Sequence, residues 1–241
     1  MTVNWHNLAI ATACLLEHER LCDRRTFIDE ASLVRASAEF IQSTTQLLLT
    51  PEYNHPNLPG NKRLDLLGRT RADTPAVFVA EAKWIKSGGG VRRWASEIAE
   101  DVLRLEGLEE DVEAYTDRAL IVGGIRRSLK AQFLDVETRA GNGNPRIQIL
   151  PHILQARDQE KRDYPYEQAR IAIRDCVPGA RRFWKARAVD IGGELPVSYQ
   201  CALAGRHRAS QIQDSVEVYV WLLRRSRNRS TFDATTTFDG V

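Results

Sequence analysis

The chain is poor in the features that announce a specialised class of protein. Cysteine is scarce: Cys14, Cys22, Cys176 and Cys201 are all there is in 241 residues, and none forms a C-x-x-C pair. With no histidines completing the spacing, a zinc finger is excluded and a disulfide-stapled secreted domain is disfavoured. Reduced thiols and a cytoplasmic location are the expectation. Long apolar runs are missing too. The stretch Leu8 to Leu16 falls well short of the roughly 20 residues a bilayer-spanning helix needs. No cationic segment precedes it, so it reads as the buried stripe of an amphipathic helix and not as a leader. No association with a membrane is expected. Neither charge dominates, with 34 basic against 32 acidic side chains. Internal repeats and low-complexity tracts are absent.

What is present suits a soluble globular chain with a sizeable core: 43% hydrophobic and 27% charged residues. The charge is unevenly placed. Residues 1–169 hold 22 basic and 25 acidic side chains, whereas residues 170–241 hold 12 and 7. A basic C-terminal third suits a polyanionic partner, although a solvated surface has the same composition.

Periodicity divides the chain into elements. Helices are expected over about Asn4 to Cys22 and Asp29 to Leu49, followed by a Pro-rich loop over Pro51 to Asn61. Strands are expected at Arg63 to Gly68 and Ala76 to Trp84, joined as a hairpin. A helix over Arg92 to Leu108 and a strand over Ala119 to Val122 come next. Then follow a helix over Ser128 to Ala140, a strand over Arg146 to Leu150 and a helix over Pro165 to Cys176. Short strands are expected at Ala186 to Ile191, Pro196 to Leu203 and Val216 to Leu223. The interleaving predicts an α/β (α+β) layered fold, with a central mixed β-sheet flanked by helices. The expected organisation is an N-terminal helix (1–28), a core (29–155), a helix plus β-rich basic extension packed on it (156–229), and a flexible tail (230–241).

One constellation carries chemistry. Glu81 and Lys83 lie two residues apart in a strand, so their side chains share a face, and Ala82 points to the other. A hairpin can bring Asp65 beside Glu81. Two carboxylates held together resist ionising, and a hard divalent cation with oxygen ligands relieves the conflict. Such a cation stabilises phosphoryl oxygens, and a nearby lysine can orient a water, take its proton, or offset charge. Keeping Glu and Lys inside the apolar run Val77-Phe-Val-Ala…Trp84 favours function over a charged solvated face.

Asp65, fifteen intervening residues, then Glu81-Ala82-Lys83 resembles the PD-(D/E)xK nuclease superfamily. The element order from about Asp29 to Leu150 resembles its restriction-endonuclease-like core. The resemblance implies a Mg2+-dependent hydrolase, with Mn2+ as substitute, that cuts phosphodiester bonds of DNA and leaves a 5′-phosphate. It assigns the metal to Asp65, Glu81 and the Ala82 carbonyl, and water activation to Lys83. The position before Asp65 is Leu64, not the motif's proline. Many members add a glutamate from the first core helix. At 100° per residue Glu30 falls within the apolar stripe and Glu39 nearly opposite, which selects Glu30, against a capping role at the helix start. Restriction, phage defence or repair would be the setting, double-stranded DNA the partner, and a homodimer a common arrangement.

Arg92 and Arg93 open a helix near this site and are candidates for phosphate contact, as are Arg224, Arg225 and Arg227 in the second basic cluster. Arg206-His207-Arg208 is a weaker candidate. Glu97 and Glu100, one turn apart on the helix that Arg92 and Arg93 open, are read as a solvated face in preference to an outer metal contact. The competing functions are a non-catalytic DNA- or protein-binding member of the same fold, and a subunit of a larger defence assembly.

Overall fold

The computed structural model describes residues 2–22, 28–58, 62–88, 91–109, 112–131, 149–150, 169–176, 178–190, 193–212, 214–224 and 230–238. Helix α1 (Trp5–Leu21) starts where the Asn4 side chain accepts the Asn7 N–H at 3.0 Å. Helix α2 (Glu30–Thr44) starts at a reciprocal cap, in which Asp29 and Ser32 satisfy each other's backbone N–H groups. The cap residue is Asp29, which leaves the neighbouring Glu30 side chain free of that duty.

Strands β1 (Leu48–Asn54), β2 (Arg63–Arg69), β3 (Ala76–Ile85) and β4 (Val112–Ile125) follow, with helix α3 (Val91–Gly107) between β3 and β4. Helix α4 (Arg126–Leu129), strand β5 (Ala169–Ala172), helix α5 (Pro178–Asp190), strands β6 (Glu194–Pro196), β7 (Ser198–Arg208), β8 (Val216–Arg224) and β9 (Thr231–Asp233), and helix α6 (Ala234–Thr237) complete the described elements. Seven strands form one mixed sheet in the order β1-β2-β3-β4-β8-β7-β5, and β6 pairs with β9 apart from it. Among the described strand pairs only β3–β4 is parallel, as the α3 crossover between them requires.

Alternation along the strands builds two cores. Phe78, Ala80, Ala82 and Trp84 face α1 and α2, together with Leu8, Leu33 and Ile41. Val79 and Ile85 face the other way, toward Ile98, Val102 and Leu105 of α3 and Trp184 of α5. Glu81 and Lys83 belong to this second face by period two. Burial on both sides explains why β3 and β4 read as nearly continuous apolar runs. No helix among the described residues is long and apolar enough to cross a membrane.

Several expectations are corrected. Residues 48–54 form edge strand β1, not the end of a helix and a loop. Its exposed residues and Pro51 carry no alternation that sequence could read, and an edge tolerates proline. Residues 169–172 are a strand, and residues 178–190 are a helix where a strand was expected after Ala186. Strands β7 and β8 lie inside the main sheet and do not form a layer added to it. At 230–238, within the expected tail, Phe232, Ala234 and Phe238 are buried in the α3-side core. The expected helix beyond 131 and the strand from 146 to 148 lie outside the described residues.

Candidate functional site

The β2–β3 ladder ends early, and that break makes the site. The last paired residues toward Asp65 are Leu66 and Ala80. Beyond them the Asp65 carboxylate takes the place of a backbone partner, its Oδ2 accepting the Ala82 N–H at 2.7 Å. In an extended strand a residue's N–H and C=O point to the same side, so the Ala82 carbonyl also faces this gap. Opposite Asp65, Glu52 of β1 has φ 48°, a left-handed conformation. The pairs Pro51–Leu66 and Tyr53–Leu64 flank the irregularity.

Glu81 is only 1% exposed. Its Oε1 accepts a hydrogen bond from Arg104 Nε of α3 at 2.6 Å. The same guanidinium donates to Asp101, one turn earlier, which is 2% exposed. Lys83 Nζ lies 2.9 Å from Glu30 Oε2, 3.7 Å from Asp101 Oδ2 and 3.8 Å from Glu97 Oε2. Glu97 is also paired with Arg93 at 2.7 Å. Five carboxylates, Glu30, Asp65, Glu81, Glu97 and Asp101, thus meet three cations, Lys83, Arg93 and Arg104.

Burial comes first in setting the protonation, and the neighbouring charges adjust it. Burial, with Asp101 nearby, pushes the Glu81 carboxyl well above its ordinary range, and Arg104 opposes the shift. Burial raises Asp101 to about 7 against the pull of Lys83 and Arg104. Burial alone would lower the Lys83 ammonium, but Asp101, Glu30 and Glu97 hold it up at about 12. Lys83 is therefore a cation at neutral pH, and of the roles open to it from sequence, donation is the one its surroundings favour.

Helix α3 is held in position at its C-terminal end. The fully buried Arg118 of β4 donates to the carbonyls of Leu105, Glu106 and Leu108, satisfying orphan acceptors where the helix dipole favours a cation. His55 Nε2 donates to the Arg104 carbonyl at 2.9 Å while Nδ1 accepts the Asn57 N–H at 3.2 Å. A carbonyl can only accept and an N–H only donate, so this neutral tautomer is the one present. Burial lowers the His55 pKa accordingly. These contacts fix the register of Asp101 and Arg104 against Glu81.

No protein-family model, curated protein or solved structure matched the chain. The geometry of the cluster is therefore what speaks to function.

The structure brings Asp65, Glu81, Lys83 and Glu30 to one place, whereas Glu39 is exposed and paired with Arg35 on the outer side of α2. Arg93 stands beside the cluster through Glu97. The backbone of Arg92 lies in α3 but its side chain is outside the described residues, as are Arg225 and Arg227. Arg224 sits at the far end of its strand. It follows Leu223, which pairs with Arg118, while Val122, beside Lys83, pairs with Tyr219. Five residues along the sheet, at roughly 3.3 Å each, separate the two levels. Arg206 is level with Tyr219 and thus nearer, but it is bound to Glu217.

Asp101 and Arg104 went unread in the sequence. The signal was available: at 100° per residue Asp101 falls on the flank of the Trp94, Ile98, Val102, Leu105 stripe, where a lone carboxylate is out of place.

A hard divalent cation suits this donor set in kind, since every ligand is oxygen and carboxylates are in excess. Asp101 Oδ2 is buried without a hydrogen-bond partner. Among the described residues no three His, Cys, Asp or Glu side chains already converge closely enough to hold an ion. The Arg104 guanidinium lies between two of the carboxylates instead.

Proposed function

We propose that the chain is a divalent-metal-dependent nuclease, hydrolysing phosphodiester bonds of DNA and related to the restriction-endonuclease-like PD-(D/E)xK proteins. The observation that carries this reading is the convergence of Asp65 and Glu81 from neighbouring strands with a charged Lys83 two residues along. A surface salt-bridge network does not need a carboxylate at 1% exposure inside an apolar strand.

Asp65, Glu81 and the Ala82 carbonyl would hold Mg2+ or Mn2+, and the ion supplies Lewis-acid stabilisation of the phosphoryl oxygens. Asp65 is oriented by the Ala82 N–H, so ligand and strand are fixed together. Lys83, kept protonated by its carboxylate neighbours, donates to the attacking water and offsets negative charge growing on the phosphate. Glu30 holds the ammonium from the α2 side. Water attacks phosphorus and gives up a proton to solvent, the P–O3′ bond breaks, the departing O3′ takes a proton from solvent, and the products are a 3′-hydroxyl and a 5′-phosphate.

The test is incubation of plasmid and linear DNA with Mg2+ or Mn2+. Cutting by the wild type, reduced about 10²- to 10⁴-fold in Lys83→Ala, is the expected result. Equal behaviour of the two proteins across substrates would remove the catalytic assignment. The Arg104–Glu81 ion pair favours a second reading, a non-catalytic member whose buried pair is structural. For that reading calorimetry would show no divalent-ion binding that Asp65→Ala abolishes.

A further inference from the structure

We propose that Arg104 is an internal counter-cation that a divalent ion displaces from Glu81 and Asp101, and that Asp101 thereby becomes a further carboxylate ligand of the site. This rests on the metal-dependent reading above and adds to it a residue pair on α3.

A guanidinium and a metal ion demand the same thing, oxygens of negative charge at close range. Arg104 bridges the two most deeply buried carboxylates of the cluster, Glu81 at 2.6 Å and Asp101. It is one cation shared by two buried carboxyl groups. Asp101 Oδ2 remains buried and without a hydrogen bond, and it points toward Lys83 at 3.7 Å. That oxygen is a built acceptor with no donor. A dication would neutralise both carboxylates and use it.

Arg104 is also the arginine of this region that can leave. Among the described residues, its side chain hydrogen-bonds to those two carboxylates alone, and it is 18% exposed. Arg118, at the other side of the same helix end, is 1% exposed and spans three carbonyls. A long, flexible stem lets Arg104 swing its charge outward to solvent or to a bound phosphate without moving α3, whose backbone is held independently by His55 and Arg118.

The experiment measures Mn2+ binding to the full chain by titration calorimetry, without DNA. Arg104→Gln should bind Mn2+ about ten- to a hundredfold more tightly than wild type. Asp101→Asn should bind more weakly than wild type, and the double variant should bind more weakly than Arg104→Gln. Unchanged or weaker binding by Arg104→Gln, or wild-type binding by Asp101→Asn, overturns the proposal. If Arg104→Gln does not fold without metal, Arg104→Lys decides by the same criterion, because its shorter stem reaches one carboxylate at a time. The parent reading fails separately. Tighter Mn2+ binding by Arg104→Gln with no DNA cutting by any form removes the nuclease and leaves the displacement. Cutting lost in Asp65→Asn, with Arg104→Gln binding as wild type, does the reverse.

Discussion

Glu81 and Glu217 invite comparison, because both are buried carboxylates on the same face of one sheet and both are held by arginine. Glu217 of β8 is fully buried. Arg126 approaches one oxygen at 2.8 Å and Arg206 the other at 2.8 Å, while Tyr219 Oη donates to it at 2.9 Å. Two cations and a hydroxyl serve a single carboxylate. At Glu81 the ratio is inverted, with carboxylates outnumbering cations and Asp101 Oδ2 left without a donor. A buried charge whose partners are complete stitches strands together. A buried charge whose neighbours are in deficit of positive charge is poised to take up something more. Both clusters contain arginine and acid at short range, so ion pairing alone does not separate structure from function; the charge balance does.

The sharpest way to break this comparison is matched substitution. Glu217→Ala strands Arg126 and Arg206 in the interior and should cost about 3–5 kcal/mol in chemical denaturation. Mn2+ affinity of the remaining folded protein should be unchanged. Glu81→Gln should cost far less stability in the absence of metal, since it removes a carboxylate from an overcrowded set, yet it should abolish Mn2+ binding. Similar stability losses at the two positions would erase the distinction.

A weaker handle is pH. Asp101 is raised to about 7 by burial, and Glu81 moves in the same direction. Between the ordinary carboxylate range near about 4 and about 7, the native state therefore binds more protons than the unfolded chain. Stability of the metal-free protein should fall as pH rises through that window, and this contribution should be gone above it. Denaturation midpoints at pH 5 and pH 8 would show it, and Asp101→Asn should flatten the difference. A midpoint rising with pH, and no less steep in wild type than in Asp101→Asn, would contradict the assigned direction.

The smallest expected effect concerns nucleic acid. Arg93→Ala removes one exposed cation beside the site and should lower the log–log salt slope of DNA binding by about 1. Equal slopes for Arg93→Ala and wild type would move the DNA contact elsewhere.

Local rules carried much of this from the sequence alone. Strand alternation put Glu81 and Lys83 on one face, the hairpin between β2 and β3 was foreseen, and helical arithmetic pointed Glu30, not Glu39, toward the sheet. Each follows from a period that neighbouring residues impose by themselves. The missed elements are those whose signal is not local. Strand β1 is mostly exposed and exists because β2 offers it hydrogen-bond partners. Strand β5 is four residues long and held by β7. Helix α5 carries arginines and a weak stripe, and is stabilised by packing Trp184 and Ala188 into the α3-side core.

The chemical types present are legible along the chain: a carboxylate and an ammonium on one strand face, a second carboxylate upstream, and the α+β alternation that surrounds them. Their electrostatic state is a product of the folded arrangement. Whether Glu81 is ionised, whether Lys83 is charged, and which cation answers them depend on burial and on Asp101 and Arg104 arriving from a helix twenty residues downstream. Those are properties of distance in space, and a pattern read along the chain does not contain them.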